Sequence, residues 1–233
     1  MNSIIILSVY FNYPIHHQPI YFSKLQEELQ YTKFDILRYW DKDYGIEDES
    51  YYFKFTFYRI YKFIKFLKEN VLGKYEYFLL TDATDVAYVG GFSSWKSILE
   101  HYNCNILFGA EKFLWPTTDY SHLYESKNIN TEFKYLNAGV VLAETKAYIN
   151  HLENIIDRNL VGVCDQGNWQ IEYLLSSDIQ IDYESKLVLN TFNAKESTVV
   201  EDNKVKFLNN TPIFVHDNGG YNENTTKLTH FFL

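Results

Sequence analysis

Two aspartates, Asp82 and Asp85, follow the apolar run at residues 77–80 in a chain of 233 residues. Carboxylate oxygens are ligands that small divalent cations prefer, so this D-x-x-D pattern could hold a metal ion. Along an extended strand, residues three apart point to opposite faces and lie roughly 10 Å from each other. The chain must therefore turn at Ala83 and Thr84, which are both small, if the two aspartates are to share an ion.

A third candidate ligand is His216, which follows the last apolar run at residues 212–215 and precedes a glycine pair at 219–220. Two carboxylates and one imidazole suit a hexacoordinate Mn²⁺ whose remaining positions are filled by phosphate oxygens or water. Such an ion can neutralise a diphosphate leaving group. A plainer interpretation also stands, in which Asp82 ends a strand, Asp85 solvates or caps a loop, and His216 is a satisfied histidine at a strand end.

The elements before these aspartates alternate between strands and helices. Hydrophobic periodicity predicts them at Ile4–Tyr10 (strand), Tyr21–Gln30 (helix), Phe34–Trp40 (strand), Phe53–Val71 (helix) and Tyr75–Leu80 (strand). This order is typical of an α/β protein with a mostly parallel sheet. Ligands of such sheets sit at the carboxyl ends of the strands, which is where the two aspartates come.

The second half of the chain continues the pattern with shorter elements. Helices are predicted at 94–101, 146–160 and 166–175, and strands at 106–110, 135–142, 179–181, 187–189, 205–208 and 212–215. Gly139 lies inside the predicted strand 135–142, and a glycine there often marks the close approach of a ligand or another backbone. Because no repeat or linker is visible, we expect a single domain over residues 1–233.

Composition excludes several classes of function. The net charge of −9 and the pI near 5.2 argue against a surface for nucleic acid or anionic membranes. No run approaches the roughly 18 apolar residues of a membrane span. Two cysteines, Cys104 and Cys164, are too few for a disulfide framework or a cysteine-built zinc site. The first apolar run, residues 4–7, is too short for a signal core, so we expect a cytoplasmic or otherwise non-secreted protein.

Five short motifs occur in order along the chain: TDATD (81–85), AEKFLWP (110–116), YLNAG (135–139), DQG (165–167) and VHDNG (215–219). With them the chain, from about Ile4 to Gly220, resembles the glycosyltransferase domain of the procollagen lysyl hydroxylase/glycosyltransferase proteins. Each motif is weak by itself, and their common order and spacing make the signal strong. The resemblance implies a GT-A fold, which is Rossmann-like, with a mostly parallel central sheet flanked by helices.

The resemblance also implies roles for individual residues. Asp82, Asp85 and His216 match the ligands of Mn²⁺, and Asp165 matches an aspartate that faces the transferred sugar. Trp115 matches a tryptophan near the sugar and acceptor end of the cleft. Other interpretations remain open, because Asp165 could also be a helix N-cap and a tryptophan before proline is often a packing residue.

The donor pocket would be formed by a further set of matched residues. They are Val9, Lys54, Thr84, Asn137, Asn218 and Gly219. Thr84 stands where the family often has a tyrosine that can stack on uracil, so any stacking must come from another ring. The family's aspartate cluster is reduced here to Asp165 alone, preceded by Cys164. Asn137 could instead satisfy backbone groups at a strand break.

By resemblance we expect a Mn²⁺-dependent transfer of glucose from UDP-glucose to galactosyl-hydroxylysine of a collagen-like protein. Transfer of galactose from UDP-galactose to hydroxylysine, or of a hexose to another acceptor, stays open. So does a module that holds nucleotide or glycan without turnover. A phosphohydrolase of the haloacid type is disfavoured, because it needs a nucleophilic aspartate at the end of the first strand and residues 4–12 contain none. The sequence does not indicate an oligomeric state.

Overall fold

The computed structural model describes residues 4–11, 34–39, 60–82, 85–158, 164–192, 194, 198–201, 204–207 and 209–218. The predicted helix at 21–30 and the beginning of the helix predicted from Phe53 lie outside the described residues. So do Lys54, Thr84 and Gly219, whose proposed roles therefore stay predictions.

The described elements, in chain order, are β1 (Ile4–Phe11), β2 (Phe34–Tyr39), α1 (60–71, ending in a wide π turn at Leu67–Val71), β3 (Tyr77–Asp82), β4 (Val86–Tyr88), α2 (Trp95–Tyr102), β5 (Ile106–Glu111), α3 (Ser121–Ser126), β6 (Tyr135–Glu144), α4 (Thr145–Asp157), α5 (Asp165–Leu175), β7 (Ile179–Asp182), β8 (Val188–Asn190), β9 (Thr198–Glu201), β10 (Lys204–Phe207) and β11 (Phe214–His216). Among the helices of this described part, none is both long enough and apolar enough to cross a lipid bilayer.

A six-stranded central sheet has the order β2-β1-β3-β6-β5-β7. Strand β1 is parallel to β2 and β3, and β5 is parallel to β7, whereas β6 is antiparallel to both of its neighbours. The α/β fold with a mostly parallel sheet is thus confirmed. Because β6 runs the other way, its beginning meets the carboxyl ends of β3 and β5 at one edge of the sheet.

The strands of this sheet are apolar at consecutive positions because both faces of the sheet are covered. Phe78 belongs to the hydrophobic cluster on one face and Leu79 to the cluster on the other, and the same alternation relates Val141 to Leu142. Helices α1, α4 and α5 contribute to the first cluster, and α2 contributes to the second. Burial on two sides is the reason that the sequence shows continuous apolar runs rather than an alternating pattern.

A second, three-stranded sheet is formed by β4, β11 and β8. Strand β11 lies between the other two, antiparallel to β4 and parallel to β8, so that His216 pairs with Val86 on one side and with Asn190 on the other. Strand β4 begins directly after Asp85. This sheet therefore brings Asp85, Asn190 and His216 together from three distant parts of the chain. The sequence did not predict β4, because three residues are too few to show a period.

Candidate metal centre and active site

The structure brings Asp82, Asp85 and His216 together, with one ligand atom of each within 4.8 Å of the others. His216 Nε2 lies 3.4 Å from Asp85 Oδ2 and 3.8 Å from Asp82 Oδ2. Asp82 is the last residue of β3, paired with Val9 of β1, whereas Asp85 leads into a different sheet. The two aspartates thus lie at strands of different sheets, with both carboxylates beside His216.

This arrangement fits a divalent cation. Ligand atoms bound at about 2.1 Å to one octahedral ion lie between about 3.0 and 4.2 Å apart, and both distances from the imidazole fall in that interval. Asp85 Oδ1 is buried and has no hydrogen-bond partner among the described residues. A buried carboxylate oxygen without a partner is costly, and a cation would satisfy it.

The imidazole is held in a defined tautomer by Asn190. The Asn190 side-chain N–H donates to the carbonyl of Ala110 at 2.7 Å, which fixes the direction of the amide. The amide oxygen therefore faces His216 Nδ1, 2.7 Å away, and accepts a hydrogen bond from it. In the neutral ring, with its proton at Nδ1, the lone pair at Nε2 would point to the two aspartates. Metal-binding histidines usually have such a partner on the other ring nitrogen.

Two glycines make room for this pair of side chains. A Cβ atom at position 139 in β6 would lie 2.2 Å from His216 Cε1, 2.6 Å from Nδ1 and 2.8 Å from Nε2. At position 109 in β5 it would lie 2.9 Å from Asn190 Nδ2. The imidazole and its orienting amide thus pack against two neighbouring strands, at positions where a Cβ atom would collide with them. The glycine inside the predicted strand does mark a close approach, here by a histidine ring.

The electrostatics of the cluster favour positive charge between the aspartates. Burial of the ring by itself would lower the pKa of His216. The hydrogen bond to Asp85 and the charge of Asp85 outweigh that effect, and the charges of Asp82 and Glu111 add to them, so the pKa is raised. Burial would likewise raise the pKa of Asp85, but the imidazole holds it below its usual value. The position beside Nε2 is therefore one that attracts a cation.

The two asparagines expected in the donor pocket are buried in a network of side-chain amides. Asn137 Nδ2 donates to Glu111 Oε1 at 3.1 Å, and Asn218 Nδ2 donates to Glu111 Oε2 at 2.8 Å. Gln166 Nε2 donates to Glu111 Oε1 at 3.0 Å. Glu111 ends β5 at the edge of the sheet where the metal cluster lies. The sequence singled out Asn137 and Asn218, but it did not single out Glu111.

Asp165 and Trp115 both lie next to residues of this network. Asp165 is half-buried and is the first residue of α5, so Cys164 rather than Asp165 occupies the N-cap position. Its neighbour Gln166 also donates to the Trp115 carbonyl at 3.0 Å, and Gln170 donates to the same carbonyl at 2.7 Å. The backbone of Trp115 is therefore anchored while the side chain is 56% exposed. Packing does not explain this ring, which is available to a ligand.

Sequence reasoning missed two residues that organise the site, Glu111 and Asn190. Glu111 lies in the motif AEKFLWP, where Trp115 drew attention, and the signal that could have found it is a carboxylate at the end of an otherwise apolar strand. Asn190 follows the apolar residues 187–189 in the same way. Their partners are distant in sequence, so no local spacing shows the pairing.

Comparison with known proteins places this site in a family context. A family model described as the PLOD GT domain matches residues 58–232. The fold is similar to the crystal structure of a glycosyltransferase involved in the glycosylation of the major capsid of PBCV-1, with a TM-score of 0.54, 17% identity and 94% of each chain covered. A protein from Bacillus anthracis, assigned as a glucose-1-phosphate thymidylyltransferase and crystallised with a sucrose, reaches a TM-score of 0.36 at 10% identity. That alignment covers 77% of this chain and 85% of the other, and its likeness is too low to carry an argument. No curated protein matches the chain in sequence.

Proposed function

The chain belongs to the PLOD GT domain family and is a glycosyltransferase, and on that premise we propose that it transfers a hexose from a UDP-sugar in a reaction that requires Mn²⁺. The observation that carries this proposal is the cluster of Asp82, Asp85 and His216 at the edge of the sheet where α/β proteins bind ligands. Two carboxylates and one imidazole leave coordination positions open for a diphosphate. Mn²⁺ suits this mixed oxygen and nitrogen ligand set.

In the proposed reaction, Asp82, Asp85 and His216 would hold the cation, which would supply positive charge opposite the diphosphate leaving group. Asn190 Oδ1 accepts a hydrogen bond from His216 Nδ1 and so orients the ring with Nε2 toward the aspartates. Asp165 supplies a carboxylate near the transferred sugar, where positive charge develops on the anomeric carbon in the transition state. The exposed ring of Trp115 provides an apolar face for a sugar.

We propose glucose as the transferred sugar, UDP-glucose as the donor and galactosyl-hydroxylysine of a collagen-like protein as the acceptor. Membership of the family supports this choice. Transfer of galactose from UDP-galactose to hydroxylysine itself, or of a hexose to a different hydroxyl, is the alternative. Val9, Lys54, Thr84, Asn137, Asn218 and Gly219 remain the proposed residues of the donor pocket.

The test is to incubate the protein with Mn²⁺ and a panel of UDP-sugars, with and without collagen-like peptides that carry galactosyl-hydroxylysine or hydroxylysine. Release of UDP is measured, and the product peptide is identified by mass. We expect acceptor-dependent release with UDP-glucose, and none in the presence of a chelator. An Asp85→Ala variant serves as the control, since it removes one anionic ligand.

Three outcomes would change the proposal. Release with UDP-galactose and the hydroxylysine peptide alone would select the alternative donor and acceptor. UDP binding without release, under every acceptor condition, would indicate a binding module. Equal binding of UDP by the wild type in chelator and in Mn²⁺ would show that the metal requirement is wrong.

A further inference from the structure

Glu111 is a buried carboxylate at the centre of the site, with a side chain only 7% exposed. Both of its oxygens are used: Oε1 accepts hydrogen bonds from Asn137 and Gln166, and Oε2 accepts one from Asn218. Burial raises the pKa of Glu111, although the three amides and the charge of His216 oppose that shift. A buried carboxylate is tolerated only with such compensation, so a neutral residue would be the simpler choice for a structural core.

The partners of Glu111 come from three separate motifs. Asn137 belongs to YLNAG on β6, Gln166 belongs to DQG at the start of α5, and Asn218 belongs to VHDNG after β11. Glu111 itself belongs to AEKFLWP at the end of β5. Four motifs that are far apart in the sequence therefore meet at one carboxylate.

An ionised carboxylate only accepts hydrogen bonds, so it imposes one direction on every amide around it. Each carboxamide turns its N–H to Glu111 and its oxygen to a backbone N–H. Those backbone donors are Gly139 for Asn137 at 3.0 Å, Ala138 for Gln166 at 3.0 Å and Phe192 for Asn218 at 3.1 Å. Gly139 is the residue on which the imidazole of His216 lies. The network thus connects the donor-pocket asparagines to the support of the metal-binding histidine.

We propose that Glu111 is a positioning residue for the glycosyl donor, which acts by fixing the direction of the amides of Asn137 and Asn218 and the position of the first turn of α5. The proposal rests on the proposed function, because the pocket that it organises is the one for the UDP-sugar. It assigns to Glu111 an action through other residues and no contact with the substrate.

The test exchanges the two ends of one hydrogen bond. Glu111→Gln sets an amide N–H against the side-chain N–H of Asn218, so that two donors face each other. Asn218→Asp sets its carboxylate against that of Glu111, so that two acceptors face each other. The double variant restores one donor facing one acceptor and keeps the charge of the cluster. We expect Glu111→Gln to raise the KM for the UDP-sugar at least tenfold. Because Asn218 itself belongs to the proposed donor pocket, recovery in the double variant is read from the melting temperature, which should return to within a few degrees of the wild type.

A matched control separates positioning from simple stability. Glu172 is also a buried glutamate, on the same helix as Gln166, and it pairs with Arg158 and with His151, whose Nδ1 lies 2.8 Å from Glu172 Oε2. Glu172→Gln should lower the melting temperature and leave the donor KM unchanged. If Glu111→Gln does the same, the carboxylate is only a structural brace and the proposal is overturned.

Failure of the proposed function would be seen separately, in a wild-type protein that does not bind UDP in the presence of any metal ion. In that case crystal structures of the wild type and Glu111→Gln decide the matter without a donor. Rotated amides at Asn137 and Asn218 in the variant would support the positioning role. Unchanged amides would overturn it.

Discussion

Substitution of Gly139 by alanine tests the support of His216, the histidine of the proposed metal site, directly. The added methyl group would lie 2.2 Å from His216 Cε1, whereas ordinary contacts begin near 3.4 Å. The ring must therefore move by about 1.2 Å or more. It cannot do so in place, because it is buried and its Nδ1 is bound to Asn190 at 2.7 Å. Either that hydrogen bond or the approach of Nε2 to the aspartates is lost.

The expected effect on the metal site is large, and the effect on the fold is moderate. Loss of an orienting partner of a metal ligand typically lowers metal affinity by about 10- to 100-fold, and displacement of the ligand itself belongs at the upper end. We therefore expect an affinity for Mn²⁺ about 100-fold weaker, which corresponds to about 2.7 kcal/mol. Overpacking of this kind costs about 1–3 kcal/mol of stability, so the variant should still fold.

The assay is a titration of Mn²⁺, followed by the electron paramagnetic resonance signal of the free ion, together with thermal melting. The control is the same substitution in a His216→Ala background, where the methyl group finds the space that the ring has left. If Gly139 acts through His216, the second substitution should change metal affinity by no more than about twofold. Wild-type affinity in Gly139→Ala, or an equal loss in both backgrounds, would refute the reasoning.

Three further substitutions test the site and the fold. Asp165→Asn should lower turnover at least about 100-fold, which corresponds to roughly 2.7 kcal/mol of transition-state stabilisation. The UDP affinity and the melting temperature should stay at their wild-type values. A kcat within a few-fold of the wild type would leave Asp165 without a catalytic role. Asn190→Ala leaves the Nδ1 proton of His216 without its acceptor, so calorimetry should show Mn²⁺ binding about tenfold weaker or worse, and unchanged binding would contradict the orienting role. Burial raises the pKa of Asp182 to about 6 from 3.8, so its contribution to stability is complete below about pH 4 and is lost as the pH rises through 6. Urea unfolding should therefore show the wild type losing about 2 kcal/mol relative to Asp182→Asn between pH 4 and pH 7, and a difference that does not vary with pH would disprove this.

The fold and the three candidate metal ligands were accessible from sequence because each strand, and the ligand at its end, has a local signal. The alternation of strands and helices predicts the parallel part of the sheet, and the aspartates at the end of β3 lie at the edge expected for ligands. The antiparallel direction of β6 was not accessible, because a buried strand has the same composition in either direction.

The buried polar network could not be predicted for a different reason. Glu111 and Asn218 are 107 positions apart, and Asn190 and Ala110 are 80 apart, so each pair exists only through the arrangement of strands. Asn, Gln and Glu at the ends of apolar strands are equally compatible with solvated loops. Only the pairing of β11 with β4 and β8 makes their common location visible.

The position of β11 between β4 and β8 has a consequence for folding kinetics. Asp85 and His216 are 131 positions apart, so the candidate metal centre closes one of the longest loops in the described chain, and contacts of such sequence separation form slowly. A cation bound there adds stability only to molecules in which β11 has docked, about 2.7 kcal/mol at a concentration 100 times its Kd. The rate at which refolding protein gains the ability to bind Mn²⁺ would therefore report the docking of β11, separately from the formation of the central sheet.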